Sequence, residues 1–246
     1  MNRIASAALV IALAALALAG YAVLRGPRPV GAADTIAASP TGEAVRAYLL
    51  AHPEVIPEAM DVLRGRQATQ MIEANRTVIE TPYESAWAGN ADGDVTLVEF
   101  FDFNCPYCRR SHETVKSLLQ DDPDLKIVWR QLPVLGPDSE RAAYAAILAA
   151  EQGKYTAFHD ALFAREGRAD EAAIRAAATE AGVDLAGVDL GAPSPQAARL
   201  FQRNRQLSEA LGISGTPAYI VGDTLVQGAV PEKNLRAVIA AARRDG

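Results

Sequence analysis

Two cysteines separated by two residues, in Cys105-Pro106-Tyr107-Cys108, are the residues of this chain best suited to chemistry. They follow an apolar, β-prone run at residues 95–101 and precede a segment at residues 109–120 that is predicted to be helical. The start of a helix carries partial positive charge and free N–H groups, which stabilise a thiolate on the first cysteine. Because a thiolate is the nucleophile of disulfide exchange, the spacing predicts a redox-active dithiol.

The same two cysteines allow other interpretations, which the rest of the sequence disfavours. A structural disulfide across so short a loop would remove little chain entropy. A zinc or copper site with His112 would need ligands from elsewhere or from a second chain, since the chain has only 2 cysteines. A c-type haem needs histidine directly after the second cysteine, where Arg109 stands. An iron–sulfur cluster would need two chains to supply its thiolates.

The first 33 residues are typical of an export segment. Residues 4–24 form an apolar stretch behind Arg3 that is long enough to span a bilayer, and the small residues at 30–33 suit cleavage. Arg25 and Arg28 follow the apolar stretch, which is unusual for a signal peptide, so a cleaved signal and a retained anchor both stay open. Either alternative places the rest of the chain in the periplasm, or outside the cytoplasm and tethered to the inner membrane.

The rest of the chain is acidic, with 21 basic and 30 acidic residues from residue 34 onward. This balance argues against nucleic acid or anionic lipid as a main partner. Both cysteines lie in one motif, so an exported chain of this kind does not use disulfides as structural staples.

No phosphate-binding glycine loop, Ser-His-Asp arrangement or metal-ligand cluster stands out. Arg109, Arg110 and His112 are expected on a solvated helix face, and His52 and His159 are expected to be structural.

A helical prefix is predicted at residues 34–76. Within it, Val55 and Val62 form a heptad-like apolar seam together with Ile56 and Leu63. Two such helices are too small to bury a core alone, so they must pack on the main domain or on a second chain.

A mixed α/β domain is predicted at residues 77–246. After the CxxC helix, a strand is expected at 125–132 and mostly helical structure at 139–211. A hairpin at 218–226 and a final helix opened by Pro231 complete the pattern.

Three segments of this domain resemble the exported DsbA-like thiol–disulfide oxidoreductases. They run from Val98 to Cys108, from Gln152 to Asp160 and from Gly212 to Tyr219. The resemblance covers about residues 80–243 and implies an α/β thioredoxin fold with an inserted helical domain at about residues 137–211.

The prefix has a resemblance of its own, carried by Tyr48-Leu49 and by the run from His52 to Ile56. It is similar to the prefix of the subgroup that includes the suppressor-of-copper-sensitivity protein C and DsbG-like proteins. In the subgroup of the suppressor protein this segment mediates oligomerisation. The similarity therefore favours a homodimer or homotrimer.

The motif residues have distinct expected roles. Cys105 is the predicted nucleophile because it lies at the helix N-terminus and should be the exposed thiol, and Cys108 is the resolving thiol. Pro106 suits the first helical position, and Tyr107 is expected to tune the redox poise and to line the substrate surface. By resemblance, the Thr216–Pro217 bond is cis, lies against the motif and presents its backbone to an incoming peptide.

Glu99 occupies the position where the resemblance implies a buried acid near the resolving thiol. A desolvated carboxyl group has a raised pKa and can shuttle the proton of Cys108. Alternation along the strand leaves open that Glu99 points outward instead. Thr216 before the proline resembles isomerase- and reductase-type members, whereas strong oxidases usually carry valine there.

These patterns together predict an exported thiol–disulfide oxidoreductase that acts on protein substrates through Cys105. No cofactor is expected beyond the redox-active Cys105–Cys108 disulfide. The favoured version is an oligomeric isomerase or reductase that a membrane electron-transfer partner keeps reduced. The alternative within the same class is a monomeric oxidase, and the alternative from a different class is a copper- or zinc-binding protein that uses the two thiolates.

Overall fold

The computed structural model of the chain describes residues 39–245. The export segment expected at residues 1–33 lies outside this range. No helix within the described range is both long enough and apolar enough to cross a membrane. The described residues form two compact units that divide between Met60 and Asp61.

Helix α1 (Pro40–Ala51) is the main element of the first unit. Ser39 caps its N-terminus, because the Ser39 hydroxyl accepts a hydrogen bond from the Gly42 amide at 3.0 Å, and Pro40 occupies the first turn. His52 ends the helix as its C-cap residue, in keeping with its expected structural role. The helix buries none of its residues, and Val45, Tyr48 and Leu50 remain exposed.

Helix α2 (Val55–Glu80) begins in the first unit and continues through the start of the second. The prefix boundary expected at residues 76 and 77 therefore falls inside this helix. Within the second unit, Ile72 and Ile79 are fully buried in one hydrophobic cluster with Val98 and Phe100 of the sheet. The second half of α2 thus belongs to the core of the domain.

A five-stranded sheet forms the centre of the second unit, with the strand order β1-β3-β2-β4-β5. Its strands are β1 (Trp87–Gly89), β2 (Val95–Phe101), β3 (Leu125–Gln131), β4 (Ala218–Val221) and β5 (Thr224–Gln227). Strands β2 and β3 pair in parallel, and the other neighbours pair antiparallel. Because parallel neighbours need a crossover, the CxxC helix runs between β2 and β3 and is held against the sheet.

Six helices complete the second unit. They are α3 (Pro106–Asp121), α4 (Pro137–Glu151), α5 (Tyr155–Phe163), α6 (Glu171–Glu180), α7 (Pro195–Ala210) and α8 (Glu232–Asp245). Helices α4 to α7 lie between β3 and β4 in the chain, where the helical insertion was expected. The alanine-rich run in α4 is buried almost throughout, which lets neighbouring helices approach closely. The predicted α/β thioredoxin fold with a helical insertion is confirmed.

Arg130 of β3 is a buried cation that fixes the end of α2 to the sheet. Its guanidinium donates hydrogen bonds to the carbonyl oxygens of Val78, Ile79 and Thr81, at 3.0 Å for Ile79 and 2.6 Å for Thr81. Burial lowers the pKa of Arg130 to about 10, so the group stays charged at neutral pH. The carbonyls of Val78 and Ile79 belong to the last turn of the helix and Thr81 follows it directly, where carbonyl groups lack internal donors and favour a cation.

Replacing Arg130 by methionine is expected to destabilise the protein by about 2 kcal/mol, because buried carbonyl oxygens of α2 lose their donors. Urea denaturation of the variant should show a lower midpoint with an unchanged slope. The matched control is Arg199→Met, on an exposed position of α7. Equal midpoints for the two variants would show that Arg130 does not hold the helix.

Candidate functional site

The CxxC motif lies where β2 gives way to α3. Cys105 is the N-cap residue of α3, Pro106 occupies its first turn and Cys108 lies one turn into the helix. Asp102 shapes the connecting loop, because its carboxylate accepts hydrogen bonds from the amides of Asn104 at 2.8 Å and Val134 at 2.9 Å. The first cysteine therefore lies at the positive end of the helix dipole.

The Thr216–Pro217 peptide bond is cis and faces this motif. The Cys105 sulfur lies 3.2 Å from the carbonyl oxygen of Thr216, to which the protonated thiol donates a hydrogen bond. The loop before β4 and the motif before α3 thus meet although they are more than a hundred residues apart in the chain. The arrangement implied by the resemblance is present in the structure.

Gln227 of β5 holds the cis-proline loop in place, a role that the sequence did not indicate. Its side-chain oxygen accepts hydrogen bonds from the amide and the hydroxyl of Ser214, at 3.0 and 2.7 Å, and its side-chain nitrogen donates to the Gly212 carbonyl at 3.1 Å. A glutamine at a strand end is common, so only the folded structure reveals this contact.

A shallow groove of about 260 Å³ borders the thiols. It is lined by Tyr107, Ser214, Gly215, Thr216, Gln227, Gly228 and Ala229. Tyr107 is exposed, and the guanidinium of Arg110 lies 4.4 Å from the centre of its ring. A larger cavity of about 580 Å³ lies between α2, the end of α7 and the β4–β5 hairpin, and neither cysteine lines it. Neither cysteine lines the smaller groove, but that groove includes Tyr107 of the motif and Thr216, whose carbonyl contacts Cys105, so of these two cavities it is the one beside the thiols.

The two cysteines differ strongly in acidity. A hydrogen bond from the Cys108 thiol lowers the pKa of Cys105 to about 5, whereas burial raises the pKa of Cys108 above its ordinary value. Cys105 is therefore a thiolate at neutral pH, and Cys108 keeps its proton. Cys105 was expected to be the exposed thiol, but it is buried, at 5% exposed against 1% for Cys108, because the cis-proline loop covers it.

Glu99 lies in the middle of β2 and is buried rather than pointing to solvent. The indole nitrogen of Trp129, its neighbour on β3, donates a hydrogen bond to the carboxyl group at 3.1 Å. Burial raises the pKa of Glu99 to about 8. Its charge is also among the causes that raise the pKa of Cys108, so the acid lies close enough to the resolving thiol to influence it.

The residues that follow the motif correct one expectation. Arg110 is exposed as predicted, but His112 is buried and stacks on Phe163 at 5.0 Å between ring centres. Arg109 donates hydrogen bonds to the carbonyls of Phe163 at 2.7 Å and of Gly167 at 3.0 Å. This face of α3 therefore packs against the helical insertion. The sequence did not show that the insertion covers this face. His159 is buried within the insertion, as expected.

The fold and the site together define a thioredoxin-fold protein with a CxxC dithiol that faces a cis-proline loop. Residues 96–240 match the model of the DSBA-like thioredoxin domain, which is more than half of the chain. The chain belongs to this family of DSBA-like thioredoxin domains. Residues 42–70 match the copper resistance protein ScsC N-terminal domain, so the resemblance of the prefix is confirmed as well.

Two solved structures agree with this assignment, and a curated relative of a different name also matches. A linker-deletion mutant of Proteus mirabilis ScsC has a TM-score of 0.73 and 26% identity, covering 90% of this chain and 100% of that one. A thioredoxin-like oxidoreductase from Silicibacter pomeroyi DSS-3 has a TM-score of 0.61 and 38% identity, covering 67% of this chain and 99% of that one. The Na(+)/H(+) antiporter NhaA 3 of Salinispora tropica is 30% identical over 164 residues, 64% of this chain and 25% of the antiporter. This chain thus spans about a quarter of the length of the first curated relatives it matches.

Proposed function

We propose that this chain is an exported thiol–disulfide oxidoreductase that acts on protein substrates through Cys105. One observation carries the proposal: a thiol with a pKa of about 5 lies at the start of α3, 3.2 Å from the carbonyl of Thr216 in the cis-proline loop. A low pKa supplies the nucleophile, and the loop offers backbone groups that can pair with an extended peptide. The reaction needs no cofactor beyond the two thiols.

The exchange proceeds in two displacements. The Cys105 thiolate attacks one sulfur of a substrate disulfide, forms a mixed disulfide and releases the other substrate sulfur as a thiolate. The ionised fraction of Glu99 accepts the Cys108 proton, and the Cys108 thiolate attacks the Cys105 sulfur. The second substrate sulfur leaves and takes up a proton, so the substrate is reduced and the Cys105–Cys108 disulfide is formed. A membrane electron-transfer partner returns the enzyme to its dithiol state.

Isomerase or reductase activity is the favoured version of this function, and two features support it. Thr216 precedes the cis proline, and the prefix has the character of an oligomerisation segment. Large apolar side chains of the prefix remain exposed in the single chain: Val45, Tyr48, Leu50, Ile56, Met60, Val62 and Leu63. A dimer or trimer that buries them would hold several dithiol sites around one misfolded substrate.

Lysine substitutions in the apolar seam of the prefix test whether the prefix mediates oligomerisation. Deleting residues 34–75 would also remove Ile72 from the core, so the double variant Ile56→Lys/Leu63→Lys is the sharper change. We expect it to turn a dimer or trimer into a monomer in analytical ultracentrifugation. We also expect it to lose refolding of a scrambled multi-disulfide substrate while still oxidising dithiols.

Glu58→Lys is the matched control, because it adds the same charge at an exposed position of α2 outside the seam. If the control and the seam variant behave alike, the prefix is not the oligomerisation device. If the unmodified chain is a monomer that only oxidises dithiols, the isomerase proposal is wrong and the oxidase alternative holds. Metal analysis of the reduced protein separates the remaining alternative, copper or zinc bound by the two thiolates.

A further inference from the structure

A cluster of three potential metal ligands lies where α3 meets the helical insertion. His112 is on α3, and His159 and Asp160 are consecutive residues of α5. One carboxylate oxygen of Asp160 lies 3.4 Å from Nε2 of His112 and 3.6 Å from Nδ1 of His159. A ligand atom from each of the three residues lies within 4.8 Å of the other two.

The histidine rings are unusual because three of their four nitrogen atoms are buried without hydrogen bonds. Among the described residues, neither ring nitrogen of His159 has a hydrogen-bond partner, and the same is true of Nδ1 of His112. His159 is 1% exposed and His112 is 5% exposed. A separation of 3.6 Å is too long for a hydrogen bond, and buried polar groups that stay unpaired require an explanation such as a bound ion or water.

The separations fit a metal ion better than they fit direct hydrogen bonds. Ligand atoms of a tetrahedral ion with bonds of about 2.1 Å lie about 3.4 Å apart. The two distances to the Asp160 oxygen are close to this edge, and the third separation, between the imidazole nitrogens, is at most 4.8 Å and would shorten on binding.

We propose that His112, His159 and Asp160 form a binding site for a divalent transition-metal ion of the zinc class. Two imidazole nitrogens and one carboxylate oxygen are the ligands that such borderline ions accept, and the fourth position is left for water or an external ligand. Asp160 is 42% exposed at its side chain, which gives the ion a path from solvent. The site is separate from the CxxC thiols and does not depend on the proposed exchange reaction.

The groups around the three ligands limit the affinity of the site for a metal ion. Lys116 and Arg109 add positive charge near His112, although Glu113 lies 3.8 Å from Lys116 and Arg109 is bound to carbonyl groups of the insertion. The second ring nitrogens also lack the hydrogen-bond acceptors that orient histidine ligands, a deficit that typically costs about 10- to 100-fold in affinity. A bound ion would join the catalytic helix to the insertion one helical turn beyond Cys108.

Cobalt titration of the full chain tests the site. The protein is first oxidised, so that the Cys105–Cys108 disulfide removes both thiolates as ligands. We expect one Co²⁺ per chain to give the visible absorption of four-coordinate nitrogen and oxygen ligands, with Zn²⁺ displacing it. Zn²⁺ at a hundred times its Kd should also raise the Tm by roughly 5 °C.

Three variants make the result decisive. Asp160→Asn and Asp160→Ala change a partly exposed side chain, and circular dichroism verifies that they fold. Both should weaken Co²⁺ binding at least about 30-fold. His52→Asn removes the remaining histidine of the chain, outside the cluster, and should bind Co²⁺ like the unmodified protein. Absence of the visible bands in the unmodified protein would overturn the proposal, as would equal affinity in the Asp160 variants.

Discussion

Replacing Cys105 by serine is expected to slow insulin reduction at least about a thousand-fold, because a hydroxyl group does not attack disulfides under these conditions. The thiolate that does so in the unmodified protein is stabilised chiefly by the Cys108 thiol. The rate of Cys105 alkylation by iodoacetamide should therefore rise with pH, reach half its maximum near pH 5 and level off above that, since only the thiolate reacts.

Cys108→Ser separates the two steps of the exchange. This variant keeps the Cys105 nucleophile but cannot resolve the mixed disulfide, so substrate adducts should accumulate on non-reducing gels. An adduct on Cys105→Ser, or full activity of that variant, would contradict the assigned order of attack. An alkylation midpoint near the ordinary cysteine pKa would show that the helix start and Cys108 do not activate the nucleophile.

Replacing Glu99 by glutamine is expected to remove a large contribution to the pH dependence of folding stability. Burial raises the pKa of Glu99 from 4.5 to about 8, so the folded state binds this proton more tightly than the unfolded state does. Stability is therefore full below the unfolded pKa and is lost as the pH rises toward the folded pKa. This contribution should fall by on the order of 3 kcal/mol between pH 5 and pH 8, and glutamine, which does not ionise, should remove it. It is measured as the difference between the Glu99 and Glu99→Gln proteins, because His112 and His159, whose pKa values burial lowers, titrate in the opposite sense in both proteins.

The measurement is urea denaturation across this pH range in a Cys105→Ser/Cys108→Ser background, which removes the opposing titration of Cys105. The matched control is Glu113→Gln, because Glu113 lies on α3 with its side chain 78% exposed. The control should retain the pH dependence. An equal change in stability between pH 5 and pH 8 for the Glu99 and Glu99→Gln proteins would show that Glu99 does not contribute. In the dithiol protein, Glu99→Gln should also slow release of the mixed disulfide.

The sequence alone predicted much of the fold because its signals are local. The CxxC spacing, the alanine-rich helix and the β4–β5 hairpin are each encoded within a few consecutive residues. Element order then led to the thioredoxin fold, and resemblance supplied the meeting of Cys105 with Thr216–Pro217. The direction of Glu99 was not predictable in this way. Strand β2 is central and buried on both faces, so alternation of polar and apolar residues does not indicate which face of the sheet Glu99 lies on.

Other features depended on contacts between residues far apart in the chain. Arg130 binds carbonyl groups some 50 residues earlier, and Gln227 holds the cis-proline loop from the neighbouring strand. His112 seemed to belong to a solvated helix face because the sequence does not show where the insertion packs. The sequence by itself determined the dithiol, the order of elements and the apolar seam of the prefix. Only the tertiary structure decided which side chains are buried together, because burial is set by the packing of whole elements and not by local pattern.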